Sequence, residues 1–212
     1  MEARCFTVGP LQENCWIVRA AGSDRALVID PGDEAERLIA AVDELAAGVD
    51  AILLTHTHFD HVGAVAALAR HTRAPVYCPE LEVPVLQDIQ RYTFPGFGPL
   101  EPYDPEETVA GGERLDLAGL ELDVIFTPGH SPGHVSYSIA GAGVLLDGDV
   151  LFAGSIGRTE GLPNTDPQAL MESIATLLDT LPDETQVLPG HGPATTLGRE
   201  RASNPFLQAL AS

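Results

Sequence analysis

Residues 55–63 read THTHFDHVG, and within this stretch His56, His58, Asp60 and His61 form an HxHxDH cluster. Neutral imidazole and carboxylate groups suit zinc, manganese or ferrous iron as ligands. In an extended segment the side chains of His56 and His58 face the same side, because they are two positions apart. Asp60 and His61 lie where the chain turns towards a predicted helix. One short segment can therefore offer ligands to two metal ions.

Three more candidate ligands follow apolar runs farther along the chain. They are His130 in TPGHSPGH, Asp149 in LLDGDV and His191 in VLPGHG. Each stands beside glycine, which lets the backbone turn sharply after a strand, and strand ends are where rigid scaffolds present reactive groups. Two divalent ions need more than four protein ligands, and a bridging carboxylate is the natural extra ligand. The full set therefore predicts a two-metal site.

The composition is that of an ordinary globular protein, with 44% hydrophobic and 20% charged residues in a chain of 212. We expect one domain over residues 1–212, because this length lies near the upper range of a single domain. No apolar run reaches membrane-spanning length, and the first residues carry no secretory signal pattern. The cysteines are odd in number and lack metal-type spacing, which fits free thiols in a reducing compartment. The expected location is therefore the cytoplasm, with no membrane partner.

The chain is strongly acidic, with a formal net charge of −20 and 11 cationic residues, all of them arginine. We expect no nucleic-acid partner, because phosphate binding needs a basic face. An anionic small molecule would have to be attracted by a local arginine or by bound metal ions. The sequence leaves open whether the protein is a monomer or a homodimer.

Hydrophobic periodicity predicts an α+β chain with two similar halves. The predicted strands cover about residues 3–8, 15–20, 25–30, 49–54, 75–78, 113–117, 120–126, 134–140, 143–147 and 185–188. The predicted helices cover about residues 33–46, 62–70 and 167–179. Asp166 is the predicted N-cap of the last helix, with proline in its first turn. Two β-sheets that face each other, with helices outside, would satisfy this order.

One segment shows no period: residues 87–107 read QDIQRYTFPGFGPLEPYDPEE. Its proline, glycine and aromatic content predicts a long surface loop. Structureless loops of this length are uncommon in compact domains and often lie over binding sites. The alternatives are a lid over the metal site and a tolerated insertion.

With these residues the chain resembles the metallo-β-lactamase-fold hydrolases, and among them the small glyoxalase-II-like (hydroxyacylglutathione hydrolase-like) group. In that family an HxHxDH segment is followed by a later His, a later Asp and a final His, in the order found here. The resemblance implies a four-layer αββα sandwich of two mixed β-sheets packed face to face with helices outside. It also implies the following ligand sets: His56, His58 and His130 for one metal, Asp60, His61 and His191 for the other, and Asp149 as the bridge.

The family's chemistry implies hydrolysis of a thioester by a hydroxide that bridges two divalent ions, zinc first, with iron or manganese as alternatives. Asp60 would ligate one ion and orient the hydroxide, which makes it the predicted catalytic residue. The alternatives are a mononuclear-iron persulfide dioxygenase and a lactone hydrolase. A noncatalytic metal-binding module is disfavoured, because structural zinc sites are usually closed, with four ligands that are often cysteines.

Substrate contacts rest on a weaker pattern. Residues 154–166 read GSIGRTEGLPNTD and resemble the GRT-type stretch of glyoxalase-II-like and persulfide dioxygenase relatives. Arg158 is the predicted partner of a substrate anion, with an ordinary structural arginine as the alternative. Larger glyoxalase II enzymes append a helical glutathione-binding domain, which we do not expect here. The predicted partner is therefore a small-molecule thioester or other acyl substrate, with the thiol carrier left open.

Two residues near the predicted ligands keep two interpretations each. His134 begins a strand four positions after His130, and a structural role is favoured over a contact at the metal site. Asp30 precedes Pro31 and Gly32 and either starts a turn or accepts a hydrogen bond from a ligand histidine.

Overall fold

The structure is a computed structural model that describes residues 1–45 and 48–208. Within these residues the strands form two six-stranded sheets and one two-stranded hairpin. The first sheet consists of β1 (Glu2–Val8), β2 (Glu13–Arg19), β3 (Arg25–Ile29), β4 (Gly48–Leu53), β5 (Val76–Pro79) and β6 (Glu107–Val109), in that order. It is antiparallel from β1 to β3 and parallel from β3 to β6, so it is a mixed sheet.

The second sheet is also mixed. Its strands are β7 (Arg114–Leu117), β8 (Leu120–Phe126), β9 (Val135–Ile139), β10 (Val144–Gly148), β13 (Gln186–Pro189) and β14 (Thr195–Thr196), and they lie in the order β14-β13-β10-β9-β8-β7. Only the pair β10 and β13 is parallel among the described neighbours. The hairpin consists of β11 (Leu151–Phe152) and β12 (Ser155–Ile156).

Helices cover the outer faces of both sheets. They are α1 (Ala35–Glu44), α2 (Phe59–Val62), α3 (Val65–Thr72), α4 (Val83–Gln87), α5 (Ile89–Tyr92), α6 (Pro167–Thr180), α7 (Leu197–Ser203) and α8 (Pro205–Gln208), with 3₁₀ turns at Glu80–Glu82 and Ala140–Ala142. Asp166 caps α6 as predicted, because its side chain accepts hydrogen bonds from the backbone N–H groups of Gln168 and Ala169. No helix in the described part of the chain is long and apolar enough to cross a membrane.

Because side chains alternate along the strands, the buried residues form three hydrophobic clusters, one between the two sheets and one on the outer side of each sheet. In β4, Ala51 and Leu53 pack between the sheets, while Ile52 packs with the buried side of α1 and α3. In β10, Leu145 packs instead with α6 on the outside of the second sheet. A strand buried on both faces reads as a continuous apolar run, and successive side chains still point in opposite directions. The layers are helix, sheet, sheet and helix, which confirms the predicted αββα sandwich.

The predicted elements are confirmed with small shifts in their ends. The helix predicted over 33–46 is observed at Ala35–Glu44, and position 46 lies outside the described residues. The helix predicted over 62–70 is divided into α2 and α3, which are separated by Gly63 and Ala64.

The prediction of one loop over residues 87–107 was wrong at both ends. Gln87 ends α4, α5 covers Ile89–Tyr92, and Glu107 begins β6. Ile89 is completely buried in the hydrophobic layer under the first sheet, so its side chain anchors this segment to the core. Residues 93–106 lack helix and strand.

Candidate metal centre

The predicted ligands come together where strands of both sheets end. His56, His58, Asp60 and His61 follow β4 of the first sheet, and Asp149 and His191 follow the parallel strands β10 and β13 of the second. His130 lies in the connection between β8 and β9. The carboxyl ends of parallel strands meet at one edge of a sheet, so loops after β10 and β13 lie side by side. All seven side chains therefore face one site.

Three imidazoles form the first cluster. His58 Nδ1 lies 3.1 Å from His56 Nε2 and 2.8 Å from His130 Nε2. The other nitrogen of His130, Nδ1, donates to the carbonyl of Arg158 at 2.7 Å. His130 therefore presents the lone pair of Nε2 to the cluster, in the tautomer that a metal requires.

A threonine hydroxyl and an aspartate fix the orientation of two more ligands. Thr55 Oγ1 donates to Asp30 Oδ2 at 2.6 Å, because a carboxylate only accepts. The same hydroxyl lies 3.0 Å from His56 Nδ1 and accepts its proton, which leaves His56 Nε2 free for a metal. Asp30 Oδ2 also lies 3.1 Å from Nδ1 of His61, and its Oδ1 accepts from the Thr55 N–H at 2.7 Å. Asp30 thus orients a candidate ligand, the second of its two interpretations.

The second cluster contains two imidazoles and two carboxylates. His191 Nε2 lies 3.4 Å from Asp60 Oδ2 and 3.6 Å from Asp149 Oδ2. Asp149 Oδ1 lies 3.5 Å from Nε2 of His61, and its Oδ2 lies 3.3 Å from Nε2 of His130. Asp149 therefore contacts one histidine of the first cluster and two of the second.

The protonation of these groups follows from their burial and mutual charges. Burial, and after it the nearby His130, lower the pKa of His58 to about 3, so the ring is neutral at pH 7. Burial opposes the ionisation of Asp149, but His61 and His130 lower its pKa below the ordinary value. Burial also opposes a charge on His61, but Asp149 raises the pKa of this ring well above its usual range. Metal binding at His61 would therefore release a proton.

His134 holds Asp149 through the backbone. Its Nε2 accepts from the N–H of Asp149 at 3.1 Å, so Nδ1 is protonated and donates to Thr127 Oγ1 at 2.9 Å. The ring is completely buried. A Cβ on Gly148, whose φ is +53°, would lie 2.7 Å from His134 Nε2, so this contact requires glycine. His134 therefore hydrogen-bonds beside the candidate ligands, which is the interpretation that the sequence analysis did not favour, and it positions Asp149.

Residues at the start of β2 hold the loop that carries His191, and the sequence analysis did not predict these contacts. Asn14 donates from its side-chain amide to the carbonyls of Pro189 and Gly192, at 3.1 and 2.8 Å. Glu13 pairs with His191 as an isolated antiparallel bridge. Burial raises the pKa of the Glu13 carboxyl well above its usual range. No local pattern reveals these contacts, because the partners are more than a hundred positions apart.

Arg158 contacts the site through its backbone. Its carbonyl accepts from His130, and its exposed side chain donates from Nε to the carbonyl of Glu160 at 2.8 Å. Its predicted contact with a substrate anion stays a prediction.

The donor set fits two divalent ions. Three groups of side chains could each hold a metal ion, because the ligand atoms within each group lie within 4.8 Å of one another. The groups are His56, His58 and His130; Asp60, His61 and His191; and Asp30, His56 and His61. The third group is already joined by hydrogen bonds through Thr55. Among the described residues, His61 Nε2 and Asp149 Oδ1 are buried without a hydrogen-bond partner. Buried polar atoms of this kind require an explanation, and a metal ion supplies one.

Comparison with known proteins gives the family. The family model described as the Metallo-beta-lactamase superfamily matches residues 8–191, a range that contains all seven candidate ligands. The chain belongs to this superfamily. Its fold is therefore the metallo-β-lactamase fold, and the chain is a metallo-hydrolase by family.

Similar proteins cover nearly the whole chain. Hydroxyacylglutathione hydrolase GloC of Haemophilus influenzae is 36% identical over 217 residues, which span 99% of each chain. The crystal structure of BLEG-1 B3 metallo-beta-lactamase is 37% identical, with a TM-score of 0.89 over 97% of this chain and 99% of that one. The crystal structure of TTHA1623 in a di-iron-bound form is 42% identical, with a TM-score of 0.83 over 96% and 100%. Family and ligand cluster together indicate a dinuclear metal site.

Proposed function

We propose that this protein hydrolyses thioesters of the hydroxyacyl-thiol class with the help of two divalent ions, zinc as the first candidate. One ion would be held by His56, His58 and His130, the other by Asp60, His61 and His191, with Asp149 between them. The position of Asp149 is the observation that carries the proposal, because its two oxygens lie 3.3 to 3.6 Å from histidines of both clusters. A shared carboxylate is typical of paired-metal hydrolytic sites.

When bound, the two ions supply a water of lowered pKa and polarise the carbonyl under attack. The chain supplies the orientation of the reacting groups. In the metal-free protein burial opposes ionisation of Asp60, but a hydrogen bond from His191 keeps its pKa below the ordinary value. A bound cation would take the place of that proton and would also favour the ionised carboxylate. An ionised carboxylate only accepts hydrogen bonds, so Asp60 would accept a hydrogen bond from the attacking water. This contact would direct a lone pair of the water oxygen at the substrate carbonyl. A thiolate leaves readily, so the reaction demands no strong acid from the chain.

A cleft beside Asp60 supports an acyl substrate with an apolar part. The cleft holds about 150 Å³ and lies between the turn after β1, the turn after β3 and the loop at 93–106. Its lining consists of Val8, Gly9, Pro10, Leu11, Gly32, Asp33, Phe59, Asp60, Gly96, Phe97, Gly98 and Leu100. No arginine lines it among the described residues. An uncharged acyl group therefore fits this cleft better than the carboxylates of glutathione.

We also propose a cellular location, a class of partner, an oligomeric state and a second candidate metal for this protein. The described cysteines are free thiols, with Cys5 exposed, which supports a cytoplasmic protein. The partner would be a small-molecule thioester, with no nucleic acid or membrane partner, and the protein would act as a monomer or homodimer. Iron is the second candidate metal, because TTHA1623 was crystallised in a di-iron-bound form.

A substrate panel on the zinc- and iron-loaded protein tests the function. The panel contains hydroxyacyl and simple acyl thioesters on glutathione and on a short neutral thiol, together with lactones and a β-lactam. Released thiol, acid and opened ring are measured, and oxygen uptake is followed with a thiol persulfide. We expect thioesters to give the highest kcat/KM, and the two carriers show how much the charge of the thiol portion contributes to it.

Three outcomes would contradict the proposal. Oxygen uptake with the persulfide and no thioester hydrolysis would identify a dioxygenase. A higher kcat/KM for lactones or for the β-lactam would assign the site to that class instead. Asp149→Ala is tested beside the wild type in each assay, and full activity of this variant would contradict a catalytic metal pair that shares Asp149.

A further inference from the structure

Glu82 is a buried carboxylate outside the proposed ligand set, at the end of the 3₁₀ turn Glu80–Glu82. It is 3% exposed. Its Oε2 accepts from Thr57 Oγ1 at 2.7 Å, and its Oε1 accepts from Ser131 Oγ at 2.7 Å and from the N–H of Gly133 at 2.8 Å. Among the described residues no arginine or histidine forms an ion pair with it.

Two of the three donors belong to residues directly beside candidate ligands of the first cluster, and the third, Gly133, lies three positions after His130. Thr57 is the residue between His56 and His58 in the chain, and Ser131 follows His130. Glu82 lies 25 positions from Thr57 and 49 positions from Ser131 along the chain. One carboxylate therefore joins the two loops that must meet to form the three-histidine cluster.

The surrounding packing is tight enough to fix this arrangement. A Cβ built on Gly133 would lie 2.8 Å from Glu82 Cγ and 2.9 Å from Leu81 Cβ, so the loop after His130 lies directly against the turn. Thr57 is completely buried and Ser131 is 2% exposed, so water cannot replace these hydrogen bonds at low cost. The second cluster is supported by Asp30, Asn14 and His134, of which Asp30 also reaches His56 through Thr55, and Glu82 has no hydrogen bond to any of these three among the described residues.

We propose that Glu82 is a positioning residue that sets the metal affinity of the three-histidine cluster and leaves that of the second cluster unchanged. This inference rests on the metal centre of the proposed function, but it does not depend on which substrate is hydrolysed. A ligand set with correct spacing gains affinity when its loops are held in place before the ion arrives. Without the carboxylate, Thr57 and the Ser131 loop would lose their common acceptor, and the distances between the imidazoles would widen.

Two background variants isolate the clusters for the test. His191→Ala weakens the second cluster and leaves the three-histidine cluster to be titrated alone, and His130→Ala does the reverse. In each background, zinc affinity is measured by competition with a chromophoric chelator on protein stripped of metal. We expect Glu82→Ala to weaken zinc binding by about tenfold to a hundredfold in the His191→Ala background. In the His130→Ala background we expect a change of less than about twofold.

Two further variants separate positioning from a general loss of structure. Glu82→Gln keeps the shape, since its amide oxygen can accept from Ser131 and Gly133 while its NH₂ donates to Thr57, so it should restore most of the affinity. Glu80→Ala, in the same turn but exposed, is the matched control and should change nothing. Equal weakening in both backgrounds, or none in either, would overturn the inference. If Glu82→Ala does not fold, Ser131→Ala decides: weaker zinc binding in the His191→Ala background alone supports it, and unchanged binding refutes it.

The readout also separates this inference from the proposed function. Failure of thioester hydrolysis in a protein that binds two ions would contradict the function and leave the affinity comparison intact. If the protein hydrolyses thioesters but Glu82→Ala does not weaken zinc binding in the His191→Ala background, only the inference is contradicted.

Discussion

At the scale of single residues, hydrogen bonds behind the candidate ligands decide which nitrogen would face a metal ion. Thr55 donates to Asp30 and accepts from His56, while the carbonyl of Arg158 accepts from His130. Because these partners accept hydrogen bonds from Nδ1, the unprotonated Nε2 atoms of His56 and His130 direct their lone pairs at the cluster. Orienting contacts of this kind are commonly as important for metal affinity as the ligands themselves.

Loss of a ligand should abolish hydrolysis and leave the fold intact. We expect His58→Ala and Asp149→Ala to lower kcat/KM by about a thousandfold or more, because each would disrupt the metal pair that activates water. Circular dichroism and thioester hydrolysis measure the two properties. His71→Ala is the matched control, because His71 pairs with Asp43 on the surface and belongs to neither cluster. Full activity of Asp149→Ala would contradict its bridging role.

The stability of metal-free protein should depend on pH through His58. Burial lowers its folded pKa to about 3, whereas an unfolded histidine titrates near its ordinary value of 6.5. Between these values the unfolded chain binds a proton that the folded chain does not, so His58 lowers the free energy of unfolding as the pH falls.

His58→Gln should therefore lose less stability than the wild type between pH 6.5 and 5, by up to about 1.4 kcal/mol per pH unit. Urea unfolding of both chelator-treated proteins at several pH values measures the difference. A gap between the two proteins that stays constant with pH would show that His58 titrates normally when folded.

Arg158 belongs to the same scale: its backbone carbonyl contacts His130, and its side chain is exposed. We expect Arg158→Ala to raise KM for an anionic thioester several-fold while kcat changes little, since an arginine contact of this kind binds ground state and transition state alike. Steady-state kinetics with charged and neutral carriers measure the effect. Arg114→Ala is the control, because Arg114 pairs with Asp123 on an edge strand. Identical kinetics for both variants would remove Arg158 from the binding site.

At the scale of elements, the loop at residues 93–106 shapes the cleft beside Asp60. The ring of Phe97 lies 4.8 Å from the ring of Phe59, measured between centroids, and both line the cleft. We expect Phe97→Ala to raise KM about tenfold for thioesters with medium-length acyl chains and much less for acetyl thioesters, because each buried methylene contributes about 0.8 kcal/mol. A chain-length series of acyl thioesters measures this difference.

The control for this element is Phe206→Ala, which removes an exposed phenylalanine from α8. An equal effect of Phe97→Ala on acetyl and longer substrates would place the acyl group elsewhere.

The elements also show what the sequence could predict. Strands such as β4 and β10 follow from their apolar runs, and the HxHxDH segment is local, so its ligands are visible within six residues. Glu82, Asn14 and Asp30 support the metal centre through partners that are 25 to 178 positions away. Their roles depend on tertiary packing. The helix α5 was missed because Ile89 is stabilised by the core, while the proline and glycine that follow it dominate the local pattern.

At the scale of the whole molecule, the metal centre joins the two sheets. Ligands after β4 belong to the first sheet, and Asp149 and His191 follow strands of the second. Asn14 at the start of β2 reaches across to the carbonyl of Pro189 in β13. The sandwich therefore brings candidate ligands from both halves of the chain to one edge, where two divalent cations would make the local potential less negative in a chain of net charge −20.

Metal stoichiometry tests the central claim most directly. Protein stripped of metal is titrated with zinc, and the bound ions per chain are counted by elemental analysis after removal of excess. We predict two ions for the wild type, and one each for His130→Ala and His191→Ala. A wild-type chain that binds no ion or one ion, or two variants that still bind two, would contradict a paired-metal centre built from these side chains.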